Sequence, residues 1–187
     1  MKFSKYSTII NKSGMIDLLK EVSYDYDTVD EYCTASYMVY KIATEILHMD
    51  LYSEEYLYLF CFNTKMRLQS IFEVSHGTCD TSLARGREIF QKALLANAVN
   101  IILVHNHPSG DPHPSECDIA LTKDIMNIGK IIGIELKDHI IIGNDSYISL
   151  YKNDIKIHIS NFHSCIGNFK NQIYTHVRSP HLQQQNH

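Results

Sequence analysis

The sequence predicts an α/β fold in which a mixed β-sheet is flanked by helices, and three features support that prediction. An amphipathic stretch at 85–98 runs directly into the continuous apolar run at 100–105, as expected for a helix followed by a buried strand. Two β-favouring segments, 55–62 and 68–75, flank a short polar turn and predict an antiparallel pair. Helices that alternate with both kinds of strand indicate a mixed sheet.

The other elements follow in chain order. Residues 1–28 mix polar and isolated apolar positions and are interpreted as an N-terminal appendage with a short helix near 15–22, and apolar residues at helical spacing predict one long helix over 29–47. A further helix is expected over 115–130, stopping near Gly129 and Gly133, and then a hairpin that turns at Asn144 and Asp145. We therefore expect a main domain over 29–152 and a polar, partly disordered tail over 153–187.

Composition and charge exclude several classes of protein. The 187 residues suit one domain, the 44% hydrophobic content is that of a globular protein, and no apolar run approaches the roughly 18 residues that span a bilayer. Without a signal-peptide pattern, the expected location is cytoplasmic, with no membrane partner. A net charge of -4 gives nucleic-acid binding no support. The five scattered cysteines contain no C-x-x-C pair and are interpreted as reduced thiols.

The segment LVHNHPSGDPHPSECDIALT, at 103–122, concentrates the polar chemistry of the chain. His105 and His107 stand two apart at the end of the predicted buried strand, so extended geometry directs both side chains to the same side. Asp118 lies one turn into the next helix, which returns its carboxylate toward the same place. Two imidazole nitrogens and one carboxylate oxygen, with a fourth position left for water, suit a catalytic zinc site.

Each part of this segment also has a structural interpretation. Ser115 and Asp118 have the spacing of an N-cap and its N3 partner, paired histidines at a strand end are often structural, and Pro-Ser-Gly-Asp is a good turn sequence. Taken separately, each part favours the structural interpretation, whereas the ordered set favours a metal site. A zinc nucleoside deaminase is disfavoured, because it needs H-x-E with P-C-x-x-C and this chain has H-x-H without the cysteine pair.

The same residues resemble a known family. HNHPSGDPHPSECDIALT matches every specified position of the pattern H-x-H-P-S-G-D-x-x-P-S-x-x-D-x-x-L-T, which is typical of the RadC-like branch of the JAB/MPN (JAMM) metalloproteases. The similarity extends over about residues 30–151. It implies a JAB-type, cytidine-deaminase-like layered α/β fold, with His105, His107 and Asp118 as zinc ligands, Ser115 as a hydroxyl that helps to hold the oxyanion, and Glu55 as the acid-base residue.

The resemblance implies a Zn²⁺-dependent hydrolase. A zinc-activated water would attack an amide carbonyl, with Glu55 moving the proton, so the expected partner is a peptide or an isopeptide-linked protein. Two alternatives remain at this point. The domain could be a catalytically silent scaffold, or it could be a binding module associated with DNA repair, as the family name suggests.

Four glutamates are candidates for proton transfer by residue type. Glu88 is placed in the first turn of its helix, where the helix dipole accounts for it, and Glu73 lies inside a strand. Glu54 would face away from its neighbour by strand alternation. The resemblance places the family's catalytic glutamate at Glu55, at the start of its strand, and Glu55 is therefore the preferred residue.

The sequence also suggests roles for three further polar residues of the ligand segment and for one later histidine. Ser109 and Asp111 would either orient His107 through hydrogen bonds or only shape the turn. His113 is predicted to be exposed, and His139 to be structural.

Overall fold

The computed structural model describes residues 1–26, 35–77, 82–151 and 156–159. Eight strands, three helices and one short 3-10 turn make up the described part of the chain. In chain order these are β1 (Lys2–Ile10), β2 (Ile16–Asp25), α1 (Ala35–Glu45), the 3-10 turn (Met49–Leu51), β3 (Tyr56–Phe62), β4 (Leu68–His76), α2 (Ser82–Leu95), β5 (Asn100–Asn106), α3 (Glu116–Ile132), β6 (Glu135–Gly143), β7 (Ser146–Tyr151) and β8 (Lys156–Ile159).

The strands form one mixed sheet in the order β2-β1-β4-β3-β5-β6-β7-β8. Most neighbours are antiparallel, but β5 pairs with β6 in parallel and β1 pairs with β4 in parallel. This confirms the predicted α/β class with a mixed sheet and is consistent with the JAB/MPN-type architecture.

Each face of the sheet carries its own apolar core. The core on one face gathers Val39 and Ile42 of α1 with Phe60 of β3, and the core on the other gathers Ile89 of α2 and Ile125 of α3. Because helices cover both faces, every residue of β5 is buried, which explains the unbroken apolar run in the sequence. The strand that carries the first histidine therefore lies in the middle of the molecule.

The prediction of a short helix near 15–22 is wrong. Residues Ile16–Asp25 form β2, which pairs along its whole length with β1 after a turn at Gly14, a residue with a φ of 77°. The hairpin partner β1 decides the structure here, because the spacing of the apolar residues in 15–22 is compatible with a helix only when the segment is considered alone. The pairing of β1 with β4 joins this hairpin to the main sheet, and the boundaries of the three predicted regions stay a prediction.

The other predicted elements are confirmed within one turn. Strands β3 and β4 form the expected antiparallel pair, and the predicted hairpin is β6 and β7. Helix α3 ends at Gly133, which takes a left-handed conformation with a φ of 82°. The start of the predicted helix over 29–47 falls outside the described residues, as does most of the predicted tail.

Two smaller predictions can be compared with the described residues. Cys61 and Cys117 are free thiols, and the other three cysteines fall outside the described ranges. Among the residues that are described, no helix combines the length and the apolar character that crossing a bilayer requires.

Candidate metal centre

Four potential ligands converge at the end of β5. His105 and His107 stand at and just after the end of this strand, Asp118 lies in the first turn of α3, and Glu55 directly precedes β3. One ligand atom from each of these residues lies within 4.8 Å of the corresponding atoms of the others. His105 and Asp118 are each only 2% exposed, so the cluster is closed on the protein side. The structure thus brings together the three predicted ligands and the predicted acid-base residue.

The backbone after β5 fixes the second histidine. The N–H of His107 donates to the carbonyl of Ile142 in β6 over 2.8 Å, and Nδ1 of the ring lies 2.7 Å from the carbonyl oxygen of Asp111. A carbonyl only accepts, so Nδ1 carries the proton of the neutral ring and Nε2 is left with its lone pair. That lone pair faces Asp118.

The loop that follows His107 rests directly on the turn between β6 and β7. The N–H of Asn144 donates to the carbonyl of Gly110 over 2.9 Å. A Cβ at Gly143 would lie 2.4 Å from the Gly110 oxygen and 2.7 Å from Cδ of Pro112, which is closer than real contacts allow. The turn glycine therefore permits the close approach that holds the histidine loop in place.

Asp118 combines the two roles that the sequence suggested, that of a helix cap and that of a member of the histidine cluster. Its Oδ2 accepts hydrogen bonds from the N–H of Ser115 at 2.7 Å and from the Ser115 hydroxyl at 2.6 Å, and its own N–H donates to Ser115 Oγ at 3.2 Å, which completes a capping box. Its Oδ1 meanwhile lies 3.2 Å from Nε2 of His105. One carboxylate thus caps α3 and faces the cluster.

A buried chain of hydrogen bonds orients His105. The hydroxyl of Thr122 donates to the carbonyl of Asp118 over 2.6 Å, so its oxygen must accept from Nδ1–H of His139 at 2.7 Å. Burial lowers the pKa of His139 well below its usual range, so the ring is neutral and its Nε2 carries a lone pair. This nitrogen accepts from Nδ1–H of His105 at 2.8 Å, which leaves the lone pair of His105 Nε2 directed into the cluster.

The cluster is therefore built of lone pairs. The Nε2 atoms of the two ligand histidines are 2.9 Å apart, and Nε2 of His107 is 3.5 Å from the Asp118 carboxylate. Bare lone pairs at such distances repel unless a cation lies among them, so this donor set suits a metal ion. The side chain of Asp118 also favours the protonated form of His107, which raises the pKa of that ring against the opposing effect of burial.

The Asp118 carboxylate stays ionised in this setting. Burial alone would raise its pKa, but the adjacent rings of His105 and His107, together with the hydrogen bond from the Ser115 hydroxyl, outweigh that effect and hold the pKa far below its usual range. An anionic oxygen beside two imidazole nitrogens is a ligand set that zinc accepts.

The other glutamates lie outside this cluster. Glu54 is exposed, and Glu73 binds the hydroxyl of Tyr58 at 3.3 Å. Glu88 is exposed in the second turn of α2, so its predicted position in the first turn is wrong, because the helix already begins at Ser82. The favourable contact with the helix N-terminus that was expected for Glu88 is therefore absent.

The loop residues follow their predictions in part. The main-chain carbonyl of Asp111 orients His107, whereas its side chain binds the ring of His113, and the hydroxyl of Ser109 accepts from the Asp111 N–H at 3.3 Å. The backbone of Asp111 thus orients His107, whereas the side chains of Ser109 and Asp111 only shape the turn. The side chain of His113 is 59% exposed, as predicted.

Sequence reasoning missed three residues that support the cluster. His139 was predicted to be structural without any link to the cluster, and Thr122 and Asn106 were given no role. Buried polar groups in native proteins almost always have partners, so the pair Asp138 and His139 inside the apolar run of β6 was a usable signal. The parallel pairing of β5 with β6, which brings His139 beside His105, could not be seen in the local sequence.

The chain is similar to proteins of one known family. The family model described as RadC-like JAB domain matches residues 33–155. Among curated proteins, a UPF0758 protein of Clostridium acetobutylicum is 48% identical over 99 residues, which cover 53% of this chain and 43% of that protein. UPF0758 proteins of Thermotoga maritima and Clostridium botulinum are 34% and 39% identical over 140 and 148 residues, covering 75% of this chain in each case and 62% and 63% of those proteins.

The extent of these matches decides what they show. The chain spans about half the length of the first curated relatives it matches. The family model, in contrast, covers well over half of this chain, from the end of the predicted appendage to the last strands of the sheet. The chain therefore belongs to the RadC-like JAB domain family.

Proposed function

We propose that this protein is a zinc-dependent hydrolase that cleaves an amide bond in a peptide or an isopeptide-linked protein. The observation that carries the proposal is the convergence of lone pairs from His105, His107 and Asp118 beside the carboxylate of Glu55. A purely structural cluster would not need two histidine nitrogens held 2.9 Å apart with both protons directed elsewhere.

Zinc is the metal that these donors suit best. Two imidazole nitrogens and one carboxylate oxygen are the three protein ligands of many catalytic zinc sites, in which a fourth position stays open. Oxygen-rich sites are typical of magnesium and calcium, and sulfur-rich sites of structural zinc. His105, His107 and Asp118 would therefore hold the ion, and when bound it would supply a Lewis acid and lower the pKa of a nearby water.

Glu55 is positioned for proton transfer. Its side chain is partly exposed, whereas His105 and Asp118 are buried, so it lies on the accessible side of the cluster. Its carboxylate would accept the proton of the attacking water and return it to the departing amine.

Ser115 would contribute in a second way. Its hydroxyl now donates to Asp118, whose Oδ2 also accepts from the Ser115 N–H. When the hydroxyl rotates away, the backbone hydrogen bond still holds the carboxylate. The hydroxyl can then donate to the negative charge that develops on the substrate oxygen.

Metal analysis combined with a cleavage assay tests this function. Protein purified without chelators should contain about one zinc ion per chain and cleave members of a panel of peptides and isopeptide-linked conjugates. His107→Ala should lose both properties. His113→Ala is the matched control, because this histidine lies in the same loop but is exposed and outside the cluster.

The outcomes separate the candidate functions. Full zinc occupancy in His107→Ala would refute the ligand assignment. Stoichiometric zinc without cleavage of any panel member would instead favour the scaffold role.

A further inference from the structure

Asn106 lies between the two ligand histidines but is not one of the proposed ligands. It is the last residue of β5 and is 2% exposed. Strand alternation directs its side chain away from the side that His105 and His107 share. A buried amide needs partners for its donor and its acceptor, and both partners lie next to Glu55.

The side chain of Asn106 spans the backbone on both sides of Glu55. Oδ1 of Asn106 accepts from the N–H of Tyr56 at 2.9 Å, and Nδ2 donates to the carbonyl of Glu54 at 3.0 Å. Because one neighbour is an N–H donor and the other is a carbonyl acceptor, only one of the two orientations of the amide satisfies both.

The side chain of Asn106 extends the hydrogen bonding between β5 and β3 beyond the last backbone pair. The antiparallel pairing between β3 and β5 stops with Leu57 opposite His105. At the next position the amide of Asn106 supplies the hydrogen bonds that a paired strand would have supplied. On the other side, the carbonyl of Glu55 accepts from the N–H of Gly77, just after β4, at 2.8 Å. The segment that carries Glu55 is therefore tied to both neighbouring strands.

We propose that Asn106 is a positioning residue that holds the Glu55 carboxylate at the metal cluster by clamping the backbone on both sides of it. The end of β5 then positions both parts of the site. It carries His105 and His107 on one side of the chain, and through Asn106, the residue between them, it holds the backbone of Glu55. This inference rests on the proposed function for its consequence in catalysis, but the clamp itself is a geometric statement that can be tested without a substrate.

The first test measures the clamp in the protein without added metal or substrate. Amide hydrogen exchange should show that the Tyr56 N–H is protected in the wild type and loses protection in Asn106→Ala. The control is Asn100→Ala at the other end of β5, where a buried amide also binds one backbone carbonyl, that of Asn63 at 3.2 Å, far from Glu55. A Tyr56 amide that exchanges as fast as an unprotected one in the wild type would overturn the proposal.

The second test reads the position of Glu55 with cobalt(II) in place of zinc. Paramagnetic relaxation of the Glu55 side-chain carbons falls steeply with distance, so it should be strong in the wild type and in Asn100→Ala and weaker in Asn106→Ala. Asn106→Asp is the second variant, because it keeps the shape and the acceptor for Tyr56 but loses the donor to Glu54. Relaxation that is equal in all four proteins would show that Asn106 does not position Glu55.

The third test connects the clamp to the reaction. A misplacement of about 1 Å can cost on the order of a hundredfold in rate, so kcat of Asn106→Asp should fall by roughly tenfold or more while zinc occupancy is retained. In a Glu55→Gln background the same change should cost little more, because the residue it positions has already lost its function. Additive losses would contradict the proposal. Absence of cleavage in the wild type would instead contradict the proposed function, and the exchange measurement would still decide the clamp.

Discussion

Nε2 of His105 and Nε2 of His107 lie 2.9 Å apart, and each ring is fixed so that this nitrogen carries a lone pair. The Nδ1–H of His105 donates to Nε2 of His139, and the Nδ1–H of His107 donates to the carbonyl of Asp111. A cation bound between two such nitrogens and one carboxylate would relieve their mutual repulsion and lower the free energy of the native state. Metal binding and folding stability would then depend on each other.

We predict that zinc stabilises the protein and that chelation reverses the effect. At a free zinc concentration of about 100 times Kd, binding to the native state alone adds about 2.7 kcal/mol to the free energy of unfolding. Urea denaturation with and without zinc measures this difference. His107→Ala should lose most of it, whereas His113→Ala should keep it, since the exposed His113 is outside the cluster. An equal response of the two variants to zinc would contradict the ligand assignment.

We also predict that Glu55 moves the proton without holding the metal tightly. Glu55→Gln should keep zinc and thermal stability but lose on the order of a hundredfold or more in rate, because the amide cannot accept a proton. Glu54→Gln and Glu88→Gln are the controls, since both side chains are exposed and outside the cluster.

Two results would change the assignment of Glu55. Loss of zinc in Glu55→Gln would make Glu55 a ligand. Loss of activity in Glu88→Gln alone would assign the proton transfer to Glu88 instead. Steady-state rates and zinc content of the three purified variants distinguish these cases.

The sequence predicted those parts of the structure that local chemistry determines. A buried strand with an unbroken apolar run, a turn with glycine and proline, and a capped helix each have short-range signals, and together they located His105, His107 and Asp118 correctly relative to one another. Glu55 lies 50 residues before His105, and only the resemblance to the family connected the two.

The missed features all depend on which strands are neighbours. Residues 16–25 form a strand because β1 lies beside them, and His139 supports His105 because β6 runs parallel to β5. Asn106 reaches Glu54 and Tyr56 only because β3 lies on the other side of β5. A strand's own sequence does not show which other strand will pair with it, whether that strand is the next one in the chain or a distant one, so these contacts required the structure.

The hydrogen bonds of His139 and Thr122 lead to a prediction about metal affinity. Outer partners of a ligand histidine typically account for 10–100-fold in affinity, so His139→Leu should weaken zinc binding by about that factor. His139→Gln should recover part of the loss, because its side-chain oxygen can accept from Nδ1–H of His105. A competition titration with a chromogenic chelator measures both values.

Thr122 offers a matched pair of variants for the same relay. Thr122→Val removes the hydroxyl that fixes the proton on Nδ1 of His139 and should lower zinc affinity, whereas Thr122→Ser should retain it. Thr44→Val is the control, since that hydroxyl also bonds the carbonyl four residues before it, at 3.0 Å, but is remote from the histidines. Equal affinities of Thr122→Val and Thr44→Val would show that the relay does not orient His105.

The last prediction concerns the buried carboxylate of Asp138 and the pH dependence of stability. This side chain is 2% exposed and accepts hydrogen bonds from the hydroxyls of Ser36 and Ser149. Burial raises its pKa above 3.8 in spite of these hydrogen bonds. The native state therefore binds the proton more tightly than the unfolded state does, and stability falls as pH rises from 3.8 through the raised pKa.

Asp138→Asn should remove this dependence, because the amide resembles the protonated carboxyl and either serine hydroxyl can reverse to accept from it. The free energy of unfolding of the variant minus that of the wild type should be small below pH 3.8 and should increase as pH rises through the folded pKa of Asp138. Urea denaturation at a series of pH values measures it, and subtraction cancels the titration of groups that both proteins share. A difference for Asp138→Asn that decreases as pH rises would mean that the native state favours the ionised carboxylate, which is the opposite of what burial predicts.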